Sequence, residues 1–339
     1  MATTNKIVYL LGAGATHAEI FNAVNLREDA VSNPAEYGLL ISDVSKRILN
    51  KAKAKEEFNF IKYGHGASNH LDNVEYLISL LLTSHVKDSE KKVNILRELV
   101  KDDIKSVLDN WSAGFYLHDS LLELSVKNEE LSKEELLGII SLNYDDVIDN
   151  ACKHNAIEYD YGFGLEKKDK KYLLKLHGSF NWTEIEFYGK SKDIPIIPLG
   201  MNKNYLVPPY NFIWSNAFDV LAKCDMLRVI GCSLSQSEYS LIDLLFKVRI
   251  ERERGFTVEI IDVDTTSGRI EDNYGFFLDV IGLGNARMKL NIKASEYTVP
   301  GAGNPFKAWL KAKAIDTYGN ENKAKETKFV KRIFEGREG

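Results

Sequence analysis

Cysteine is scarce in this chain. Three among 339 residues, Cys152, Cys224 and Cys232, are too few and too scattered for a disulfide framework, and none sits in a C-x-x-C pair of the kind that holds structural zinc. The expected setting is the reducing cytoplasm, with all three as small core residues. Long apolar runs are also missing. No stretch approaches the roughly 18 residues of a membrane-spanning helix, so no membrane contact is expected. An excess of basic charge is absent as well. With 44 Lys and Arg against 49 Asp and Glu, the net charge is −5 and the isoelectric point about 5.9. Neither direct nucleic-acid binding nor an anionic lipid surface is called for. A secretory signal is disfavoured too: Lys6 precedes a short apolar segment, but Glu19 and a coherent strand and helix follow at once.

What the chain does have is an ordinary globular balance, 44% hydrophobic and 27% charged, enough for a sizeable core. At about 150 residues per domain, its length predicts two domains or one domain carrying a large insertion. The organising stretch is 6–18, KIVYLLGAGATHA. An apolar run with Ile7 and Val8 is cut by Gly12, Ala13 and Gly14, and a helix then begins. Glycines in such a turn let the backbone approach a phosphate, and the unpaired N–H groups of the helix start favour negative charge. Two features of the full dinucleotide fingerprint are missing: His17 stands where a third glycine belongs, and no acidic strand end follows about 20 residues later. A dinucleotide loop and an ordinary glycine turn both fit this stretch alone.

Further along, 42–53 predicts a short polar helix and 63–66 a loop. Leu71, Val74, Leu77, Ile78, Leu81 and Leu82 then fall on one helical face. Val93, Leu96, Val100, Ile104 and Val107 predict a second amphipathic helix, and 113–124 a third. So much helix exceeds a single crossover. The expected division is an α/β domain over 1–41 and 136–295, a helical insertion over 42–135, and a terminal helix with a charged tail over 296–339. Strands are predicted at 136–142, 172–176, 226–230 and 258–261, with an edge strand at 287–292. Ser235 and Glu238 have the spacing of a capping box. Asn304, Pro305 and Gly319 bound a last helix, beyond which the charged residues are expected to be loosely held.

Four strands end in polar or glycine-bearing loops: GAGAT, NYDD, HGS and GCSLS. In an open parallel sheet ligands sit beyond the carboxyl ends of the strands, so these loops are expected to share one rim. The residues there resemble the sirtuin-like NAD-binding fold, in particular the bacterial SIR2-like domains. The resemblance lies in LLGAGAT at 10–16, SLNYDD at 141–146, KLHGS at 175–179 and VIGCSLSQSE at 229–238, with NVEYL at 73–77 also similar. It implies a Rossmann-like parallel sheet with an inserted helical module. It also implies hydrolysis of NAD to nicotinamide and ADP-ribose, often as the toxic effector of an anti-phage system. The chain departs from the deacylase branch, which carries a four-cysteine zinc module and a G-I-P-D-F-R segment; 19–26 reads EIFNAVNL. Protein deacylation is therefore disfavoured, and no metal is expected.

Nicotinamide leaves NAD as a neutral molecule, so its departure needs no general acid, unlike that of an ordinary glycoside. His177 is the candidate base, Asn143 would orient water and ribose, and Asp145 would stabilise charge on the ribose or cap the helix beginning there. Gly12, Ala13, Gly14 and Thr16 would face the pyrophosphate, with Gly231, Ser233 and Ser235 nearby. Asp262 is the candidate for the adenosine ribose. Trp182 and Trp214 either border the nicotinamide pocket or belong to the core. His65, His70, His85, His118 and His154 lack ligand spacing and are assigned surface or helix-end roles. Since unregulated NAD loss would kill the host, gating by self-assembly or a second defence protein is expected, with the helical insertion and the tail as contact candidates.

Overall fold

The computed structural model describes residues 4–26, 34–59, 72–83, 88–131, 133–164, 170–182, 185–187, 190–192, 205–206, 208–235, 238–252, 257–262, 273, 290–291 and 304–335. The predicted loop at 63–66 lies outside them, as do Leu71, His65, His70 and His85.

Seven parallel strands form one sheet: β1 (Asn5–Leu11), β2 (Glu134–Ser141), β3 (Tyr159–Asp160), β4 (Lys171–Lys175), β7 (Met226–Ile230), β8 (Thr257–Ile261) and β9 (Leu290–Asn291). Their order is β3-β4-β2-β1-β7-β8-β9. The intervening β5 (Ile185–Phe187) and β6 (Lys190–Lys192) pair antiparallel as a separate ladder. The chain moves outward from β1 to one side through β2 and returns to its other side with β7. The strand order therefore reverses between β1 and β7, the position at which doubly wound sheets open a crevice. The fold is α/β and Rossmann-like.

The central strands are mostly apolar because both faces are covered. Val8 and Leu10 of β1 join a core with helices α8 (Tyr210–Lys223) and α9 (Tyr239–Glu251). Ile7, Tyr9 and Leu11 point the other way, toward α6 (Leu117–Glu130) and α10 (Pro305–Tyr318). All five are at most 2% exposed, and burying each aliphatic side chain contributes about 1.5–3 kcal/mol.

Between β1 and β2 the chain is helical: α1 (Ala13–Asn25), α2 (Pro34–Tyr37), α3 (Ile41–Lys53), α4 (Val74–Thr83), α5 (Ser89–Trp111) and α6. This stretch is built in two parts. Helices α3, α4 and α5 share their own core through residues such as Val44, Ile48, Leu77, Ile78, Leu96 and Val100, whereas α6 packs on the sheet and β2 begins at Glu134. The helix expected to be polar, α3, is amphipathic. Leu82, placed on the buried face by its spacing, is 46% exposed, because it lies at the flank of the face formed by Val74, Leu77, Ile78 and Leu81.

The last helix runs as its boundary residues predict, with Asn304 accepting from Lys307 N at 3.1 Å and Gly319 closing it at φ 86°. The residues after it are not loosely held. Ala324, Val330 and Ile333 are fully buried in the core beneath α6, and the Glu123 carboxylate accepts from the N–H groups of Phe329 and Val330 at 2.8 and 2.9 Å. No helix among the described residues is long and apolar enough to cross a membrane.

Candidate active site

At the reversal between β1 and β7 the two loops interlock. Gly12 N donates to the Ile230 carbonyl at 3.0 Å and Gly14 N to the Gly231 carbonyl at 2.9 Å. A Cβ at Gly14 would come within 2.7 Å of Gly231 Cα, and one at Gly231, whose φ is +61°, within 2.2 Å of Ala15 N. The glycine absent at position 17 is thus supplied by a different strand, and three glycines allow this closeness. Gly12 precedes α1 without a side-chain cap, leaving the helix start facing whatever fills the space above it.

That space is a cavity of about 650 Å³, within the usual range of small-molecule sites. From the first loop Gly12, Ala13, Gly14 and Thr16 line it. The loop after β2 contributes Asn143 and Asp145, and the one after β4 contributes His177. Gly231, Ser233 and Ser235 come from the loop after β7, and Asp262 from the end of β8. The structure brings every one of these sequence-predicted residues to a single cavity. Trp182 and Trp214 lie instead in the core, the latter donating from its indole to the Leu176 carbonyl at 3.3 Å.

The polar side chains are tied to one another. Asn143 is not a helix cap: its Nδ2 donates to the Gly12 carbonyl at 3.0 Å and to Thr16 Oγ1 at 2.9 Å. Thr16 in turn donates to Asp145 Oδ2 at 2.9 Å, while Asp145 Oδ1 accepts from Val147 N at 3.1 Å at the start of α7 (Val147–His154). Asp145 is buried, and burial raises its pKa despite the nearby Lys175 ammonium. His177 is 3% exposed. Its Nδ1 lies 3.1 Å from the Leu142 carbonyl. A carbonyl only accepts, so Nδ1 carries the hydrogen, and Nε2 is the nitrogen of the neutral ring that can take a proton.

A buried ion pair ties the end of β4 to α7. Lys175 and Asp149 are both fully buried and 2.9 Å apart. The Lys175 ammonium also donates to the Asp145 carbonyl and to Ser179 Oγ, and Ser179 donates to the Tyr144 carbonyl at 3.1 Å. Removing one partner of such a pair costs about 3–5 kcal/mol. His118 is at a helix end, in the first turn of α6, but is buried there, 2.9 Å from the Glu19 carboxylate of α1.

Four cavity residues have contacts that the motifs do not reveal. His17 accepts from Leu39 N at 3.2 Å, and burial lowers its pKa in spite of Asp43. Tyr144 stacks on Phe180 and lies 5.9 Å, ring to ring, from His177. Burial pushes its hydroxyl well above the usual pKa, and the charges of Glu75 and Glu238 add to this. Glu75 itself follows Asn73, whose side chain accepts from Glu75 N at 2.8 Å. Glu238 does not form the predicted capping box. Its N–H donates to the Ser235 carbonyl at 2.8 Å, it precedes α9 with no side-chain cap, and its Oε2 lies 3.4 Å from His177 Nε2. In the sequence Tyr144, Glu75 and Glu238 stand inside NYDD, NVEYL and VIGCSLSQSE and His17 directly follows GAGAT, but membership in a motif does not say what each side chain touches. Among the described residues no group of three His, Cys, Asp or Glu side chains could hold a metal ion.

No protein-family model matches the chain, and no curated protein matches it. Among solved structures, it is similar to a Sir2 homologue in complex with NAD, at 14% identity over 86% of this chain and 85% of the other, with a TM-score of 0.29. A mutant Sir2 homologue bound to ADP-ribose is similar at 14% identity over 83% and 94%, with a TM-score of 0.30. A structure describing sirtuin substrate affinity is similar at 15% over 86% and 90%, with a TM-score of 0.31. These values assign no reaction to this chain.

Proposed function

We propose that this protein is a SIR2-like NAD glycohydrolase, cleaving NAD to nicotinamide and ADP-ribose. The observation that carries this is the single cavity joining the interlocked glycine loops to His177. The uncapped start of α1 suits a pyrophosphate. The C–N bond to ribose breaks with its electron pair going to the pyridinium nitrogen, which leaves neutral, so one base suffices. His177 Nε2 takes the proton of the attacking water. Asn143, with Nδ2 engaged on Gly12 and Thr16, presents its amide beside the ribose and holds the phosphate loop in place. Asp145 anchors Thr16 and the start of α7, and its carboxylate faces the positive charge that develops on the sugar. Gly231, Ser233 and Ser235 border the pyrophosphate, and Asp262 takes the adenosine ribose. NAD is the substrate; no metal takes part.

Such an activity is toxic, which fits the effector of an anti-phage system acting in the cytoplasm and gated by self-assembly or by a second defence protein. In a nicotinamide-release assay with the chain alone and with the products of neighbouring genes, His177→Ala and Asn143→Ala should remain folded and lose about 10²–10⁴ in turnover, or about 3–5 kcal/mol of barrier. Undiminished release by both variants would contradict the assignment. Saturable NAD or ADP-ribose binding without release would mark a binding module instead. Release only with an acceptor protein would mark a transferase or deacylase.

A further inference from the structure

The loop after β7 brings a carboxylate to the base. Glu238 is the last residue before α9, its side chain turned away from the helix end toward the cavity, with Oε2 3.4 Å from His177 Nε2. Its side chain is 15% exposed against 4% for His177, so of the two it is the one nearer to solvent. The opposite ring nitrogen is held by the Leu142 carbonyl, so the nitrogen free to take a proton is the one beside the carboxylate.

We propose that Glu238 is the positioning partner of His177, accepting the hydrogen bond from Nε2 once that nitrogen has taken the proton of water; this rests on the hydrolysis proposed above. The water oxygen bonds to the ribose carbon, the bond to nicotinamide breaks toward the ring nitrogen, and the released proton resides on Nε2. One proton is liberated per NAD cleaved, and it leaves to solvent past Glu238. A charge-assisted hydrogen bond closes to about 2.7–2.9 Å, so 3.4 Å is the spacing of a pair that tightens when the ring becomes charged. In the sequence the same residue looks like a helix cap; the fold gives that duty to no side chain and points the carboxylate at the base.

The test compares Glu238→Gln, Glu238→Asp and the unaltered chain. Expected for Glu238→Gln is a fall in kcat of about tenfold to a hundredfold, with KM and the affinity for ADP-ribose nearly unchanged, and partial recovery in Glu238→Asp. A purely structural role would move KM, affinity and thermal stability together. Nitrogen-15 NMR of the His177 ring supplies a readout that needs no turnover: the Nε2 resonance should move in Glu238→Gln while Nδ1 stays. An Nε2 resonance indifferent to the substitution, or an unchanged kcat, overturns the pairing. Absence of nicotinamide release from the unaltered chain with a responsive Nε2 resonance would instead overturn the hydrolysis and leave the pairing in place.

Discussion

Two clusters of charged side chains sit on the same parallel sheet and end differently. In the first, Arg228 of β7 reaches Glu134 of β2 at 2.6 and 2.8 Å and Glu259 of β8 at 2.7 Å. Lys313 adds a contact to Glu134 at 2.7 Å, and the Trp309 indole donates to Glu259 at 3.0 Å. The guanidinium also lies 5.4 Å from the Trp309 ring. These groups face one another and pack against a helix. In the second, Asn143, Asp145 and His177 are buried and Glu238 is partly so, yet each also borders a cavity. Buried charge that closes on itself holds strands and a helix in register, whereas buried charge around a void has something left to bind.

Substitutions and a change of pH sharpen that contrast. The largest effect belongs to the closed cluster: Arg228→Met leaves Glu259 and part of Glu134 without a cation and should cost about 3–5 kcal/mol in denaturant unfolding. His177→Ala should show the converse, near-normal unfolding with turnover lost. Equal stability losses in the two variants would erase the distinction. Next, Gly14→Ala pushes a methyl against the backbone of Gly231, so the loops must part. A loss of about 1–3 kcal/mol, read by thermal unfolding, should accompany loss of ADP-ribose binding in calorimetry. Retained binding would detach the phosphate site from the interlocked glycines.

The smallest effect is acid sensitivity of the closed cluster. Burial alone would raise the Glu134 pKa, but hydrogen bonds and charge from Arg228, with help from Lys313, bring it down to about 2. A carboxyl lowered in the folded state contributes stability that is complete above its ordinary value near 4.5 and is lost as pH falls toward about 2. Denaturant midpoints should therefore decline through that window, and less steeply in Glu134→Gln. Parallel declines in both proteins would remove Glu134 from the account.

How much of this was legible in the sequence follows from the range of each interaction. Strands such as Ile7 to Leu11 announce themselves by unbroken apolar character, and α10 by Asn304 and Gly319, because those signals are local. The rim residues were legible because polar loops after parallel strands must converge. Gly231 as the third glycine was not, since its partner Gly14 is distant in the chain and their meeting depends on strand order. Glu238 resembled a cap because spacing alone cannot say which way a side chain turns. His118 looked peripheral until Glu19, 99 residues away, was seen beside it. The charged terminal segment hid Val330 and Ile333, which are buried where the carboxylate of Glu123, more than 200 residues away, receives the backbone N–H groups of Phe329 and Val330.

The central claim is that loops far apart in the chain hold one dinucleotide, with the imidazole of His177 beside its glycosidic carbon. A crystal structure of the full chain with ADP-ribose tests it most directly. The account predicts the pyrophosphate against Gly12, Ala13 and Gly14, and the freed ribose carbon facing His177 Nε2. ADP-ribose bound outside this cavity, or bound within it with its adenine beside His177, would contradict it.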